Sequence, residues 1–276
     1  MNWIATSPKL LCPICQKTDW CRIGEKWIHC QRVPSPRPGK TQGWFHPLNG
    51  HAVTLPPRRE PPPPPTIDAH SLARQWHVET PLSEFDRMGS LLGVSAASLL
   101  ALRAGWSPQH RAWSFPMRNG AGAIVGIRLR TEDGRSKWSV RGGHEGIFLP
   151  RVEPKSEVWV VEGPTDCAAL LTLGKFSIGR PSCSGSISHT AATLARMGIR
   201  RCVIVADNDE DHFRPNGDRW NPGIDGAKRL SEEIGVPCCI VVLPCKDARE
   251  ALSLGMTSDL LDSLVSSVVW IQPRIL

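Results

Sequence analysis

Val158-Trp159-Val160-Val161-Glu162-Gly163-Pro164-Thr165-Asp166 and Arg201-Cys202-Val203-Ile204-Val205-Ala206-Asp207-Asn208-Asp209 share one pattern, a short apolar run that ends in acid. Runs of this length, rich in valine and isoleucine, read as buried strands rather than helices. The first spans Ser156 to Val161 and is followed by a helix from Cys167 to Leu173, closed by Gly174. A third unit passes from Cys239-Ile240-Val241-Val242-Leu243-Pro244 into Lys246-Asp247-Ala248-Arg249-Glu250. Strands alternating with helices predict an α/β fold with a mostly parallel sheet, which binds ligands beyond the carboxyl ends of its strands.

The acids therefore fall where such a sheet does chemistry. Residues i and i+2 at a strand end project to one side, so Asp207 and Asp209 can reach one hard cation. With Glu162 and Asp247 at neighbouring strand ends, a magnesium site for phosphoryl transfer is expected. Taken singly, a strand-terminal Glu can also be no more than a helix-capping group. The insertion from Glu210 to Pro222 reads as a polar loop near the metals. Gly179 to Ser186 reads as either a phosphate-facing loop or an ordinary connection.

Working towards the N-terminus, the character turns basic. Residues 1–150 carry 19 Lys and Arg against 10 Asp and Glu, whereas residues 151–276 carry 14 against 16, so a polyanion-binding front half is expected. From Ser83 to Leu102 the pattern is helical, split by Gly93 and recapped by Ser95. Alternating strands follow over 112–118, 123–130 and 137–141, separated by Asn119-Gly120 and Asp133-Gly134 turns. Arg128 and Arg130 share one strand face, and Arg118, Lys137 and Arg141 are expected to join them across neighbouring strands. Such a row suits the phosphates of a template or nucleotide.

The first 50 residues hold Cys12, Cys15, Cys21 and Cys30 within 19 residues. A Cys-x2-Cys knuckle points two thiolates at one centre, and the arms of a hairpin over 20–30 supply two more, as structural zinc requires. His29 or His46 is the alternative to Cys30 as fourth ligand. Basic and aromatic residues around the knuckle, such as Arg22, Lys26, Trp27, Arg37 and Phe45, suit single-stranded nucleic acid. The other six cysteines read as small buried hydrophobes. Leu55 to Thr66 reads LPPRREPPPPPT, a semi-rigid polyproline spacer. The expected division is therefore a zinc ribbon over 1–50, a linker over 51–66, a basic helical-then-β segment over 67–150 and a catalytic α/β domain over 151–276. No apolar run reaches the roughly 18 residues of a membrane span, and no signal peptide is evident, so a cytoplasmic protein is expected.

On these residues the chain is similar to the Toprim family of the DnaG-type primase branch. Glu162-Gly163, Asp207-x-Asp209 and Lys246-Asp247 with Glu250 resemble the three acidic Toprim motifs. Phe115-Pro116-Met117-Arg118, Gly126-Ile127-Arg128-Leu129-Arg130 and Lys137 resemble the basic RNA-polymerase segment that precedes Toprim in primases, and the cysteine module sits where primases carry zinc. The resemblance implies a Toprim sheet flanked by helices, with Glu162, Asp207 and Asp209 holding catalytic Mg²⁺ or Mn²⁺ and Asp247 a further acidic member. It implies that Glu162 doubles as general acid or base, and that Arg118, Arg128, Arg130, Lys137, Arg141 and Lys246 bind template or nucleotide. The implied activity is synthesis of short RNA primers from ribonucleoside triphosphates on single-stranded DNA. A replicative helicase is expected on a separate chain, and the compact arrangement resembles primases of phages, plasmids or mobile elements.

Two other classes stay open. A Toprim core can cleave nucleic acid, although a topoisomerase is disfavoured because the chain has no tyrosine to act as covalent nucleophile. A non-catalytic, zinc-dependent DNA-binding accessory factor is the other reading.

Overall fold

The structure, a computed structural model, describes residues 3–40, 42–48, 67–213 and 217–273. The chain divides into two compact units, one of Met1–Pro63 with Glu210–Asn221 and one of Pro64–Asp209 with Pro222–Leu276. The polyproline linker expected over 51–66 lies outside the described residues.

In the smaller unit, strands β1 (Trp3–Ala5), β2 (Arg22–Gly24), β3 (Trp27–Cys30) and β4 (Trp44–Pro47) form an antiparallel sheet in sequential order. The β2–β3 pair is the expected hairpin, with Arg22 opposite His29 and Ile23 opposite Ile28. Its core is little more than Ile23 and Ile28 packed on Cys12, Cys21 and Cys30. So small an apolar core does not stabilise a module by itself, and metal is the usual supplement.

The larger unit opens with α1 (Ala69–Glu79), α2 (Leu82–Leu92) and α3 (Ala96–Ala101). Gly93, at φ 70°, ends α2, and the Ser95 hydroxyl accepts from the Ser98 amide at 3.2 Å to start α3, as the sequence predicts. Helix α1 buries only Ala69, Ala73 and Trp76, too weak a stripe to be read by periodicity. An antiparallel sheet follows in sequential order, made of β5 (Gly105–Ser107), β6 (Ala112–Arg118), β7 (Ile124–Arg130) and β8 (Lys137–Ser139).

Then the chain alternates: β9 (Glu157–Glu162), α4 (Pro164–Thr172), β10 (Ser177–Arg180), α5 (Ile187–Arg196) and β11 (Arg201–Ala206). The insertion expected as a polar loop contains a short hairpin instead, β12 (His212–Phe213) paired with β13 (Arg219–Trp220), which belongs to the smaller unit. There the His212 and Trp220 rings lie 5.3 Å apart and Asp211 pairs with Arg219. Alternation resumes with α6 (Pro222–Glu233), β14 (Cys238–Val242), α7 (Ala248–Ser253) and α8 (Ser258–Ser266). The sheet order is β10-β9-β11-β14, and all pairings are parallel, as the α/β reading expects.

Alternating residues on β9 serve two cores. Trp159 and Val161 join Phe85, Trp113, Phe115 and Met117 on one face, while Val158 and Val160 pack with Ile178, Leu194 and Leu230 on the other. The first core thus runs from the antiparallel sheet into the parallel one, so segments 67–150 and 151–276 share it. Backbone bonds tie them as well: Phe148 exchanges two with Gly179 at 2.8 and 3.0 Å, next to Ile147, which exchanges two with Arg118 of the antiparallel sheet, both 2.8 Å. Helix α6 comes so close to the strand end of β11 that a Cβ on Gly223 would sit inside the Asp207 carbonyl. Replacing Gly223 with Ala is expected to destabilise the fold by about 1–3 kcal/mol, read from urea unfolding, because rigid backbone must move to accept the methyl.

Candidate active site and metal centre

The sheet order fixes where the acids meet. From β9 the chain crosses to β10 on one side and then to β11 on the other, so β9 and β11 flank a topological switch point, the usual ligand crevice of an open α/β sheet. Glu162 is the last residue of β9, and Asp207 directly follows β11. Gly163, at φ 84°, makes the strand-to-helix turn in a region that disfavours other residues, and its amide donates to the Arg180 carbonyl at 2.6 Å.

The structure adds Asp166, which the sequence reading did not single out. It lies in the first turn of α4, is 7% exposed, and its Oδ1 accepts from the Arg249 amide at 3.0 Å. Burial, with the Asp247 charge, pushes its carboxyl up to about 7. Its spacing four residues after Glu162, at a helix start, was the available signal. Burial pushes Asp207 up further, to about 8, helped by the charges of Asp166, Glu162, Asp247 and Asp209. Glu162 is raised by burial and by Asp209, while Arg180 and Lys137 pull it back. Glu162, Asp209 and Asp247, the other acids named from the sequence, thus all lie within electrostatic reach of Asp207.

Asp247 also has a local task. It caps α7, accepting from the Glu250 amide at 2.8 Å, while Glu250 accepts from the Lys246 amide at 2.6 Å, a reciprocal arrangement close to a capping box. The Lys246 side chain is exposed.

On the antiparallel sheet, Arg130 stands opposite Lys137 and Trp113, and Arg128 opposite Ser139 and Phe115. Lys137 faces the acids, lowering both Glu162 and Asp166, and an Arg128 Nη donates to the Pro181 carbonyl at 3.4 Å. Arg130 is buried beside Asp166 and Arg249, and its Nε has no partner. Arg118 does not join this row. It shares the face of Ala112, Ser114 and Pro116, which packs against α1, whereas Arg128 and Arg130 pair with Phe115 and Trp113 on the other. Alternation within one strand does not reveal this, because the face depends on the register between β6 and β7. Arg141 is exposed beyond the end of β8.

The loop from Pro181 to Ser186 is organised by a residue the sequence reading passed over. Arg180 is buried, and its Nε and Nη2 donate to the carbonyls of Gly185 at 3.0 Å and Cys183 at 2.6 Å. A buried guanidinium beside Glu162 thus braces the loop from below.

In the smaller unit, the ligand atoms of Cys12, Cys15, Cys21 and Cys30 all lie within 4.8 Å of one another. A zinc tetrahedron with bonds of about 2.3 Å has sulfur–sulfur edges of about 3.8 Å. Cys15–Cys21 at 3.6 Å and Cys21–Cys30 at 4.0 Å bracket that value, so the donor set fits zinc. The Gln31 amide and Arg32 donate to these sulfurs, which favours thiolates. Both histidine alternatives are engaged elsewhere: His29 bonds the Gln42 carbonyl at 2.8 Å and stacks on Phe45, and His46 bonds the Val33 carbonyl at 2.9 Å. Cys30 is the fourth member of the cluster.

Among the described residues, no carboxylate set closes as tightly as the thiolates. Magnesium needs no such cage, since it keeps several waters and binds through one or two carboxylates. The acids suit it in chemistry: they are hard oxygen donors, crowded and partly buried, whose repulsion a divalent cation relieves.

No protein-family model and no curated protein matches the chain. Its fold is shared with the catalytic cores of DnaG primases. The DnaG catalytic core superposes with a TM-score of 0.54 at 14% identity, over 73% of this chain and 79% of that one. A DnaG primase catalytic domain solved with single-stranded DNA gives 0.53 at 14% identity, over 72% and 77%. The zinc-binding and RNA polymerase domains of the Aquifex aeolicus primase give 0.55 at 14% identity, over 74% of this chain and 60% of that one.

Two outcomes follow. Cys21→Ser is expected to lower bound zinc, measured by elemental analysis, from one ion per chain to none, because three ligands do not hold a structural site. Asp207 is protonated in the fold up to about pH 8, whereas an unfolded chain releases that proton near pH 4. The proton therefore stabilises the fold at low pH, and this stability is lost as pH rises through that window. In magnesium-free buffer, Asp207→Asn is expected to raise Tm by about 3–6 °C near pH 8 and by far less near pH 4.

Proposed function

We propose that the chain is a DNA primase, joining ribonucleotides on a single-stranded DNA template. The observation that carries this reading is one of placement: Glu162 and Asp207 flank the sheet's switch point, with Lys137 of the antiparallel sheet close enough to act on Glu162 and Asp166. Acids for cations and a cation for phosphates, brought together by two sheets, suit nucleotidyl transfer. The fold shared with DnaG catalytic domains, one of them bound to single-stranded DNA, supports it.

In this reading Lys137, Arg128 and Arg130 bind and orient the triphosphate of the incoming nucleotide. The 3′-hydroxyl of the preceding nucleotide attacks the α-phosphorus, a P–O bond forms there, and the bond to pyrophosphate breaks. Glu162, held above the usual carboxylate range by burial and by Asp209, is suited to accept the hydroxyl proton. Glu162, Asp207 and Asp209 would hold Mg²⁺ or Mn²⁺, which when bound stabilises the charge on the attacking and leaving oxygens. Asp166 and Asp247 set the field around Asp207. In the zinc module, Trp3 and Phe45 stand 5.9 Å apart and Arg37 lies 4.6 Å over Trp27, a cationic aromatic surface suited to stacking unpaired bases.

The test combines protein, single-stranded DNA, labelled ribonucleotides and Mg²⁺ or Mn²⁺. Wild type is expected to yield short, alkali-labile products. The Asp207→Asn/Asp209→Asn variant should lose about 100-fold or more in rate while binding DNA within about twofold of wild type. An end-labelled template that is shortened, with no new strand made, would overturn the primase reading in favour of a nuclease.

A further inference from the structure

The face of the antiparallel sheet turned away from the acids has a second cationic feature. Besides Ile124, a pocket of about 330 Å³ is lined there by Arg74 and His70 from α1, Arg103 after α3, Arg118 from β6, and Arg151. Among the described residues lining it, none is acidic. Arg74, Arg103, Arg118 and Arg151 form no ion pair among the described residues, unlike Arg32, Arg87 and Arg201, which pair with Asp19, Glu84 and Glu157.

Two of the four are held in place at a cost. Arg118 is 9% exposed, and its Nη1 donates to the Gly122 carbonyl at 2.8 Å, which aims the guanidinium without neutralising it. Burial and the charges of Arg151, Arg103 and Arg196 all disfavour its cation. Arg103 sits at φ 58°, a left-handed conformation that non-glycine residues seldom adopt, and its cation is disfavoured by burial and by Arg151 and Arg74. Like charges crowded without counter-charge are destabilising unless an anion completes the site. Guanidinium forks match phosphate oxygens in pairs, so four of them suit several phosphate groups rather than one.

We propose that this pocket binds a run of phosphates, three or more linked groups, separately from the carboxylate site on the opposite face. The pocket's volume exceeds that of a lone orthophosphate, and four guanidinium charges balance the four charges of a free triphosphate. Two sources present this chemistry: the triphosphate tail of a free nucleotide, and consecutive phosphates of a nucleic-acid strand. The inference rests on the pocket alone and stands independently of the primase reading.

The test is calorimetric titration of the full chain with inorganic tripolyphosphate in low-salt buffer without divalent cations. Arg74 and Arg151 are exposed, so the Arg74→Ala/Arg151→Ala variant should fold normally. It is expected to bind tripolyphosphate about tenfold more weakly or worse, with Arg74→Lys/Arg151→Lys intermediate because charge remains but the fork is lost. Arg201→Ala removes one exposed charge at the end of β11 away from Asp207 and should bind like wild type. Unchanged affinity in the double-alanine variant, or an equal loss in Arg201→Ala, would overturn the proposal. Displacement of a labelled oligo(dT) by tripolyphosphate, with weaker oligo(dT) binding by the double variant, assigns the pocket to strand phosphates. Binding of tripolyphosphate while oligo(dT) stays bound assigns it to free nucleotides.

Discussion

Asp207 shares the end of a parallel sheet with Asp166, Glu162, Asp247 and Asp209, each of which makes its ionisation harder. In water such carboxylates would separate, but here backbone holds them. Asp166 is fixed by the Arg249 amide, Asp247 by its helix cap, Glu162 by strand pairing, and Asp207 by the packing of α6 at Gly223. The resulting repulsion is a property of the metal-free fold. A divalent cation would turn the same crowding into affinity, at the expense of stability without it. The two clusters sit differently in their units. In the cysteine module the sulfur residues are themselves most of the core, whereas in the larger unit the acids sit at the rim of a core that is complete without them.

That complete core is what lets the acid cluster exist. Trp113, Phe115 and Trp159 are almost wholly buried and link the antiparallel sheet to the parallel one. The bonds of Ile147 and Phe148 fasten the same two sheets through backbone alone. Because the sheets are joined twice, Lys137 on β8 is set against Glu162 on β9 without an ion pair having to do the positioning. Electrostatics here is a consequence of packing, and the direction of causation runs from the core to the site.

Much of this was legible in the sequence, because the strongest signals were local. Apolar runs ending in acid marked the strand ends, Gly93 and Ser95 marked a helix boundary, and the cysteine spacing marked the four-sulfur cluster. What escaped depended on burial or register, which no short window carries. Asp166 resembles any helix-start aspartate until its burial is known, and Arg180 resembles a surface arginine until the loop it braces is seen. The hairpin around His212 and Trp220 is made of two-residue strands, too short for any alternation to register.

Arg118 is the instructive case, because its meaning depends on which strand positions pair. Trp113 and Phe115 stand opposite Arg130 and Arg128, so the odd positions of β6 share a face with those arginines and Arg118 falls on the other. There, on the α1 face, its neighbours are three further arginines rather than carboxylates. The antiparallel sheet consequently has two electrostatic faces. On one, cations confront acids; on the other, cations stand together with no acid among the lining residues. A sheet that only had to serve the acid site would gain nothing from the second cluster, and the cost of burying Arg118 there would select against it. The persistence of that cost in the fold is the physical reason to look for an anion on that face.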